Sequence, residues 1–342
     1  MSQFRDEIAQ QPGVAERMLQ LAKGEVAAAA EAIRARRPAG LIVAARGSSD
    51  HAAIYAKYLL ETRNRLPVLL AAPSVFGVYR KPPRLDRFAV LAISQSGASP
   101  DVAGVIEQAR SQGAPTVAIT NSASSRLGRA AEHLVRLQAG RELSVPASKT
   151  YTASLLAVAM LSQALDPDPA FARELAKVPA ALSSALRLET RLEGAVTLLR
   201  GERMAVIGRG YNLATALEIG LKLMETSYVV AEARSVADFL HGPIAAVEPG
   251  FPILLIEAAG PTLRQLRAFG RRVARAGARV VTVTDQPVGA IGHPVPVCTG
   301  LPETLTPLPF AVAGQLLALR MASALGLDSD RPRQLSKVTE TR

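Results

Sequence analysis

Three apolar stretches of this 342-residue chain recur at a nearly constant spacing. Residues 41–45, LIVAA, end at Arg46-Gly47, and 163 residues later MAVIG ends at Arg209-Gly210. Phe88–Gly97, FAVLAISQSG, is matched 163 residues on by Phe251–Gly260, FPILLIEAAG. Thr116–Asn121, TVAITN, is matched 164 residues on by Val280–Asp285, VVTVTD. A period of this length is a whole duplicated domain and not a solenoid repeat. Each stretch is a short apolar run stopped by Gly, Ser, Asn or Asp, the pattern of a strand buried on both faces. Helix-forming segments separate them, at 14–37 and at about 51–63, 100–112, 151–165, 170–200 and 308–326. The expected fold class is therefore α/β: two tandem doubly wound parallel sheets, with ligands at the carboxyl ends of the strands. Asp166-Pro167-Asp168-Pro169 is the clearest linker, so the expected domains are residues 1–165 and 166–342.

The repeats differ at one turn. After the strand at Phe88, the first reads Ser94-Gln95-Ser96-Gly97-Ala98-Ser99-Pro100; the second reads Glu257-Ala258-Ala259-Gly260. Ser99 before Pro100 predicts an N-cap and the first helical position. Serine hydroxyls, backbone N–H groups and a helix dipole then meet in one small volume, which suits a phosphate. An ordinary capped βα turn is the alternative for this stretch alone. The second copy shows that the fold does not itself require the hydroxyls. Gly47-Ser48-Ser49 ends another strand of the first repeat and can add to the same anion site. Neither turn is a Walker A or a dinucleotide fingerprint.

Glu218, Lys222 and Glu225 fall on one face of an otherwise apolar helical segment. An exposed ion-pair ladder is the ordinary reading. A carboxylate beside an ammonium at the end of a strand is also suited to moving a proton at carbon. His241-Gly242-Pro243 supplies a side chain that can shuttle protons near neutral pH. His293, in Gly-His-Pro, reads as a turn residue. The tail Arg331–Thr339 is either disordered or able to bring the amine of Lys337 to a carbonyl.

Composition narrows the function classes. With 40 Lys and Arg against 29 Asp and Glu, the net charge is +11, so nucleic-acid binding has to be weighed. The arginines are scattered through amphipathic segments, aromatics are 4% and Trp is absent, which favours steering of an anionic metabolite. A single cysteine, Cys298, precludes an intramolecular disulfide and fits a reducing, cytoplasmic setting. The expectation includes no signal region, no membrane span, no nucleic-acid partner and no metal or cofactor, because no ligand spacing occurs.

The ordered set Gly47-Ser48-Ser49, Ser94-Gln95-Ser96-Gly97, Ser148-Lys149-Thr150, Gly208-Arg209-Gly210, Glu218-x-x-x-Lys222-x-x-Glu225, His241-Gly242-Pro243 and Leu335-Ser336-Lys337 resembles the sugar isomerase (SIS) family. The resemblance runs over about residues 30–340, and its best match is the double-SIS isomerase half of glucosamine-6-phosphate synthase. It implies SIS-type, flavodoxin-like domains. It also implies a phosphate held by Ser48, Ser94, Ser96 and Ser99, with Gly47, Ser49, Gln95, Lys149 and Glu218 in the substrate site. Glu225 would be the base between C1 and C2, with Lys222 beside it. His241 would assist ring opening, and Lys337 would contact or condense with the open-chain carbonyl. The family implies a homodimer or larger homo-oligomer without a cofactor.

Departures from the synthase shape the expected function. No glutaminase nucleophile follows Met1, Arg46 stands where the synthase has Cys, Ala98-Ser99 replaces Glu-Thr, and the tail after Lys337 is one residue shorter. These features resemble stand-alone isomerase-type glucosamine-6-phosphate deaminases. Isomerases or deaminases of galactosamine or tagatose phosphates are the enzyme alternative. A sugar-phosphate-sensing module is the non-enzymatic one, disfavoured because residues 1–40 read as one helix and not as a three-helix DNA-binding unit.

Overall fold

The computed structural model describes residues 2–337. Val338 and Thr339, the end of the tail motif, lie outside the described residues. Ten strands form two sheets. The first comprises β1 (Gly40–Ala44), β2 (Val68–Leu70), β3 (Phe88–Ser94), β4 (Thr116–Thr120) and β5 (His133–Arg136). The second comprises β6 (Arg203–Gly208), β7 (Val230–Ser235), β8 (Pro252–Glu257), β9 (Arg279–Thr284) and β10 (His293–Pro296). The sheet orders are β2-β1-β3-β4-β5 and β10-β9-β8-β6-β7, and every pairing is parallel. The second order is the first with its strands renumbered, so both sheets share one flavodoxin-like winding. The registers repeat as well: Ser94 pairs with Thr120, and Glu257 with Thr284.

Parallel strands need helical crossovers, which cover both sheet faces. That is why all of β1, β4 and β8, and β3 from its second residue, are buried. One core packs Ile42, Val90, Ala92 and Ala118 against Val102 and Ile106 of the Pro100–Ser111 helix. The other packs Ala205, Ile207, Ile253 and Leu255 against Leu266, Phe269 and Val273 of the Leu263–Arg275 helix.

Several elements differ from expectation. The N-terminal segment forms three helices, Gln3–Ala9, Gln11–Leu21 and Lys23–Arg36, because alanine-rich sequence favours helix without fixing where the axis turns. The 170–200 segment also divides, into Pro169–Ala176, Val178–Leu186 and Glu193–Leu199. Pro179 lacks an N–H and fits only a first turn, so a new helix starts at Val178. β7 and β10 carry no continuous apolar run because each is an edge strand with one neighbour. His293 is accordingly the first residue of β10 and not a turn residue.

The chain divides into two compact units. One holds Gly13–Glu142, Lys149–Ala176 and the tail from Ser336, and contains β1–β5. The other holds the chain up to Pro12, then Leu143–Ser148 and Lys177–Leu335, and contains β6–β10. Chain order suggested a boundary at 165/166. Compactness instead exchanges short segments, since a buried residue belongs with whatever it packs on.

Candidate functional site

In the first unit the turns after β1 and β3 flank the point where the strand order reverses. Two helices begin there, Ser48–Arg63 and Pro100–Ser111. Their positive dipole ends lie at the strand ends, while the Ser49 and Asp50 N–H groups bond the Arg46 and Gly47 carbonyls at 3.1 and 2.9 Å and the Val102 N–H bonds Asp101 at 2.9 Å. Gly47 caps the first at φ 56°, a left-handed conformation that suits glycine. Ser48 and Ser49 therefore lie in the first helical turn, earlier than the expected start near residue 51.

Ser99 is the N-cap of the second helix with Pro100 following, as expected, but its hydroxyl makes no capping bond. The Ser94 hydroxyl oxygen accepts the Gly97 N–H at 3.2 Å, and that of Ser96 accepts the Ala98 N–H at 3.2 Å. Both hydroxyls act as acceptors within the turn and keep their O–H hydrogens for donation. That is the disposition an oxyanion needs. Capping alone does not account for these serines.

Arg46 bridges the two turns: its Nε donates to Asp101 Oδ2 at 2.7 Å. Asp101 is buried, and about half of the arginine side chain is exposed. A guanidinium thus stands beside the serine turn. Burial pushes the Asp50 carboxyl up, against His51 and Arg46, which pull it down. The Arg46–Asp101 pair was not legible in sequence, since 55 residues separate its members.

Gly97 shows how tightly the turn is built. Its φ is +63°, and a Cβ there would lie 2.1 Å from Ser125 Oγ. Gly97→Ala is expected to destabilise the protein by about 2 kcal/mol or more, from left-handed strain plus the clash. Urea unfolding monitored by circular dichroism checks this; an unchanged midpoint would mean the turn relaxes freely.

Glu142 is a site residue that sequence reading missed. It lies in what read as a polar loop, yet its side chain is fully buried. Its Oε2 accepts from Gln95 Nε2, Thr150 Oγ1 and Lys337 Nζ, each at 2.8 Å, and Oε1 accepts the Thr150 N–H at 3.1 Å. Burial pushes this carboxyl up, but Lys337 and Thr150 outweigh it and hold it below the ordinary range. Lys149 is buried, with Nζ on the Arg141 carbonyl at 2.7 Å. It braces the backbone beside Glu142 and does not present its amine to solvent.

The second unit holds the other group. The Asn212–Ser227 helix follows β6 and carries Glu218, Lys222 and Glu225. This is not an exposed ladder. Lys222 and Glu218 are fully buried side chains, and Glu225 is 17% exposed. Lys222 Nζ lies 3.4 Å from Glu218 Oε1 and 2.5 Å from Glu225 Oε2. Two carboxylates share one buried ammonium, and only Glu225 reaches solvent. Lys222 therefore lies between Glu225, which reaches solvent, and Glu218, which does not.

His241 is exposed, at the C-cap of the short Val236–Leu240 helix. Its backbone N–H bonds Asp238, and no hydrogen bond joins it to the Glu218–Lys222–Glu225 group. The chain leading into the tail is anchored as far as Lys337. Asp330 accepts the Gln3 and Phe4 N–H groups at 2.9 and 2.8 Å, and the Arg333 guanidinium stacks 3.8 Å from the Tyr228 ring.

The second copy of the phosphate turn is acidic. Glu257 pairs with Arg267 at 2.9 Å, Asp285 accepts the Ala259 N–H, and Glu303 accepts from Thr262. Burial pushes all three carboxyls up. A phosphate would meet carboxylates there and not hydroxyls. No group of three or more His, Cys, Asp or Glu suited to a metal ion occurs among the described residues. Nor is any helix among them long and apolar enough to cross a membrane.

Comparison with known proteins agrees with this fold. A glutamine–fructose-6-phosphate aminotransferase (isomerizing) from Streptococcus pneumoniae is 33% identical over 345 residues, which cover 97% of this chain and 57% of that protein. The chain spans about half the length of the curated relatives it matches. A crystal structure of a protein assigned as a phosphosugar isomerase from Silicibacter pomeroyi matches with TM-score 0.87 at 35% identity, covering 96% of this chain and all of that one. A glucosamine-6-phosphate deaminase from Thermotoga maritima shares the fold, with TM-score 0.79 at 19% identity over 99% of this chain and all of that one. Residues 37–164 and 197–293 match the SIS domain, and the chain belongs to that family.

Proposed function

We propose that the protein is an isomerising deaminase of an amino-sugar phosphate, converting glucosamine 6-phosphate and water to fructose 6-phosphate and ammonia. One observation carries the reading: a carboxylate that reaches solvent, Glu225, is backed by a fully buried ammonium, Lys222. The ammonium fixes the position of that carboxylate, and a positioned carboxylate is a base for a proton on carbon. The hydroxyls of Ser48, Ser94, Ser96 and Ser99 and two helix N-termini hold the phosphate end of the sugar. Glu225 removes the proton from C2 of the opened aldose and returns it to C1. The double bond then lies between C2 and its nitrogen. Water adds to that imine, and ammonia leaves with the ketose. His241 serves ring opening, and Lys337 meets the carbonyl end. The second-turn carboxylates favour this division of labour, since they repel phosphate.

The reading is tested by measuring ammonia and fructose 6-phosphate from glucosamine 6-phosphate, alongside galactosamine 6-phosphate and tagatose 6-phosphate. Turnover of tagatose 6-phosphate with no ammonia from either amino sugar would replace the deaminase with a plain isomerase. Exchange of the C2 proton with deuterated water isolates the Glu225 step. Ser96→Ala should raise KM about tenfold with little change in kcat, the cost of one hydrogen bond to a charged group in both ground and transition states. An equal loss in kcat would move Ser96 from holding to chemistry.

A further inference from the structure

We propose that Glu142 is the positioning residue of the site, setting Gln95 in the phosphate turn and Lys337 in the tail with one buried carboxylate. The proposal rests on the sugar-phosphate reading above. Three elements converge on this group: the turn after β3, the start of the Lys149–Leu165 helix, and the C-terminal tail. Gln95, Thr150 and Lys337 all donate to its two oxygens, and Lys337 brings a formal positive charge. The Gln95 backbone is already fixed, because its carbonyl accepts the Asn121 N–H at 3.0 Å and the Thr120 hydroxyl at 3.2 Å. Glu142 therefore governs where the Gln95 amide points and not where the turn lies. At the tail it does more. The Lys337 side chain is 23% exposed, so the ion pair fixes an otherwise mobile amine. Separating a lysine from a buried carboxylate is costly, which favours the paired arrangement. Phosphate hold and carbonyl contact then share one anchor.

Glu142→Gln, Lys337→Met and the double variant test this. If Glu142 acts through Lys337, each single change lowers kcat/KM by at least about tenfold, and the double variant is no worse than the poorer single. Multiplying losses would overturn the proposal. Glu142→Asp, which keeps the charge, should recover part of the activity; no recovery beyond Glu142→Gln would count against a charge role. Two measurements do not depend on turnover. Trypsin should cut after Lys337 about tenfold faster in Glu142→Gln than in wild type. Inorganic phosphate should bind about threefold more weakly to Glu142→Gln but normally to Lys337→Met. Wild-type values for both in a folded Glu142→Gln would overturn the proposal. A wild-type protein that releases no ammonia would sink the deaminase reading while these two measurements still decide the anchor.

Discussion

Glu225→Gln is expected to lower kcat by about two to four orders of magnitude, the range for losing a positioned general base. KM should change little. The phosphate turn is untouched, and the Gln carbonyl can still accept from Lys222 Nζ, which now lies 2.5 Å from the carboxylate. Stability should also stay close to wild type, because Glu225 is the one member of its group that reaches solvent. Steady-state kinetics with glucosamine 6-phosphate check the rate. Exchange of the C2 proton should disappear in parallel. A variant that keeps exchange while losing ammonia release would place Glu225 in imine hydrolysis and not in proton transfer.

Lys222→Met should give the largest loss of stability, about 3–5 kcal/mol, the cost of breaking a buried ion pair from one side. The reason is geometric. Lys222 is fully buried and lies within 3.4 Å of two carboxylates. Methionine fills the space but leaves Glu218 and Glu225 with like charges and nothing between them. At least one must take up a proton to stay buried, which raises its pKa in the folded state. A carboxyl whose folded pKa is raised favours the folded state at low pH. The deficit should therefore shrink as pH falls and be greatest at neutral pH and above. Urea unfolding of both proteins at several pH values checks the sign. A deficit that is constant with pH would mean that lost packing, and not unpaired charge, is the cause. Activity should fall as well, since the carboxylate that reaches solvent loses the partner that positions it.

The two cases show which parts of the site sequence alone could reach. Helical spacing put Glu218, Lys222 and Glu225 on one face, because three- and four-residue steps return to the same side. Whether that face met solvent or the core depended on its packing partners. The neighbouring Pro307–Ala324 helix, buried over most of its length, belongs to the same unit and is almost 100 residues away in the chain. The serine turn was legible because strand, turn and helix start are contiguous. The disposition of its hydroxyls was not: Ser99 sits at the cap position, yet its side chain leaves the cap unmade. Glu142 carried no local signal at all. A carboxylate in a polar loop looks the same in sequence whether water or protein donors surround it.

The sequence by itself determined the fold and its duplication. Apolar runs at matched spacing can bury both faces only as central strands of a parallel sheet, and two such sets demand two sheets. It also showed that the two copies differ at one turn, with serines at 94, 96 and 99 in the first and Glu257 in the second. Tertiary structure alone decided the edge strands, the division into units, the burial of Lys222, the bridging of two turns by Arg46, and the gathering of Gln95, Thr150 and Lys337 on Glu142. Each of these depends on which distant residue arrives at a given point. Local periodicity carries no record of that, because a charge becomes costly or useful only once the groups that exclude water from it are in place.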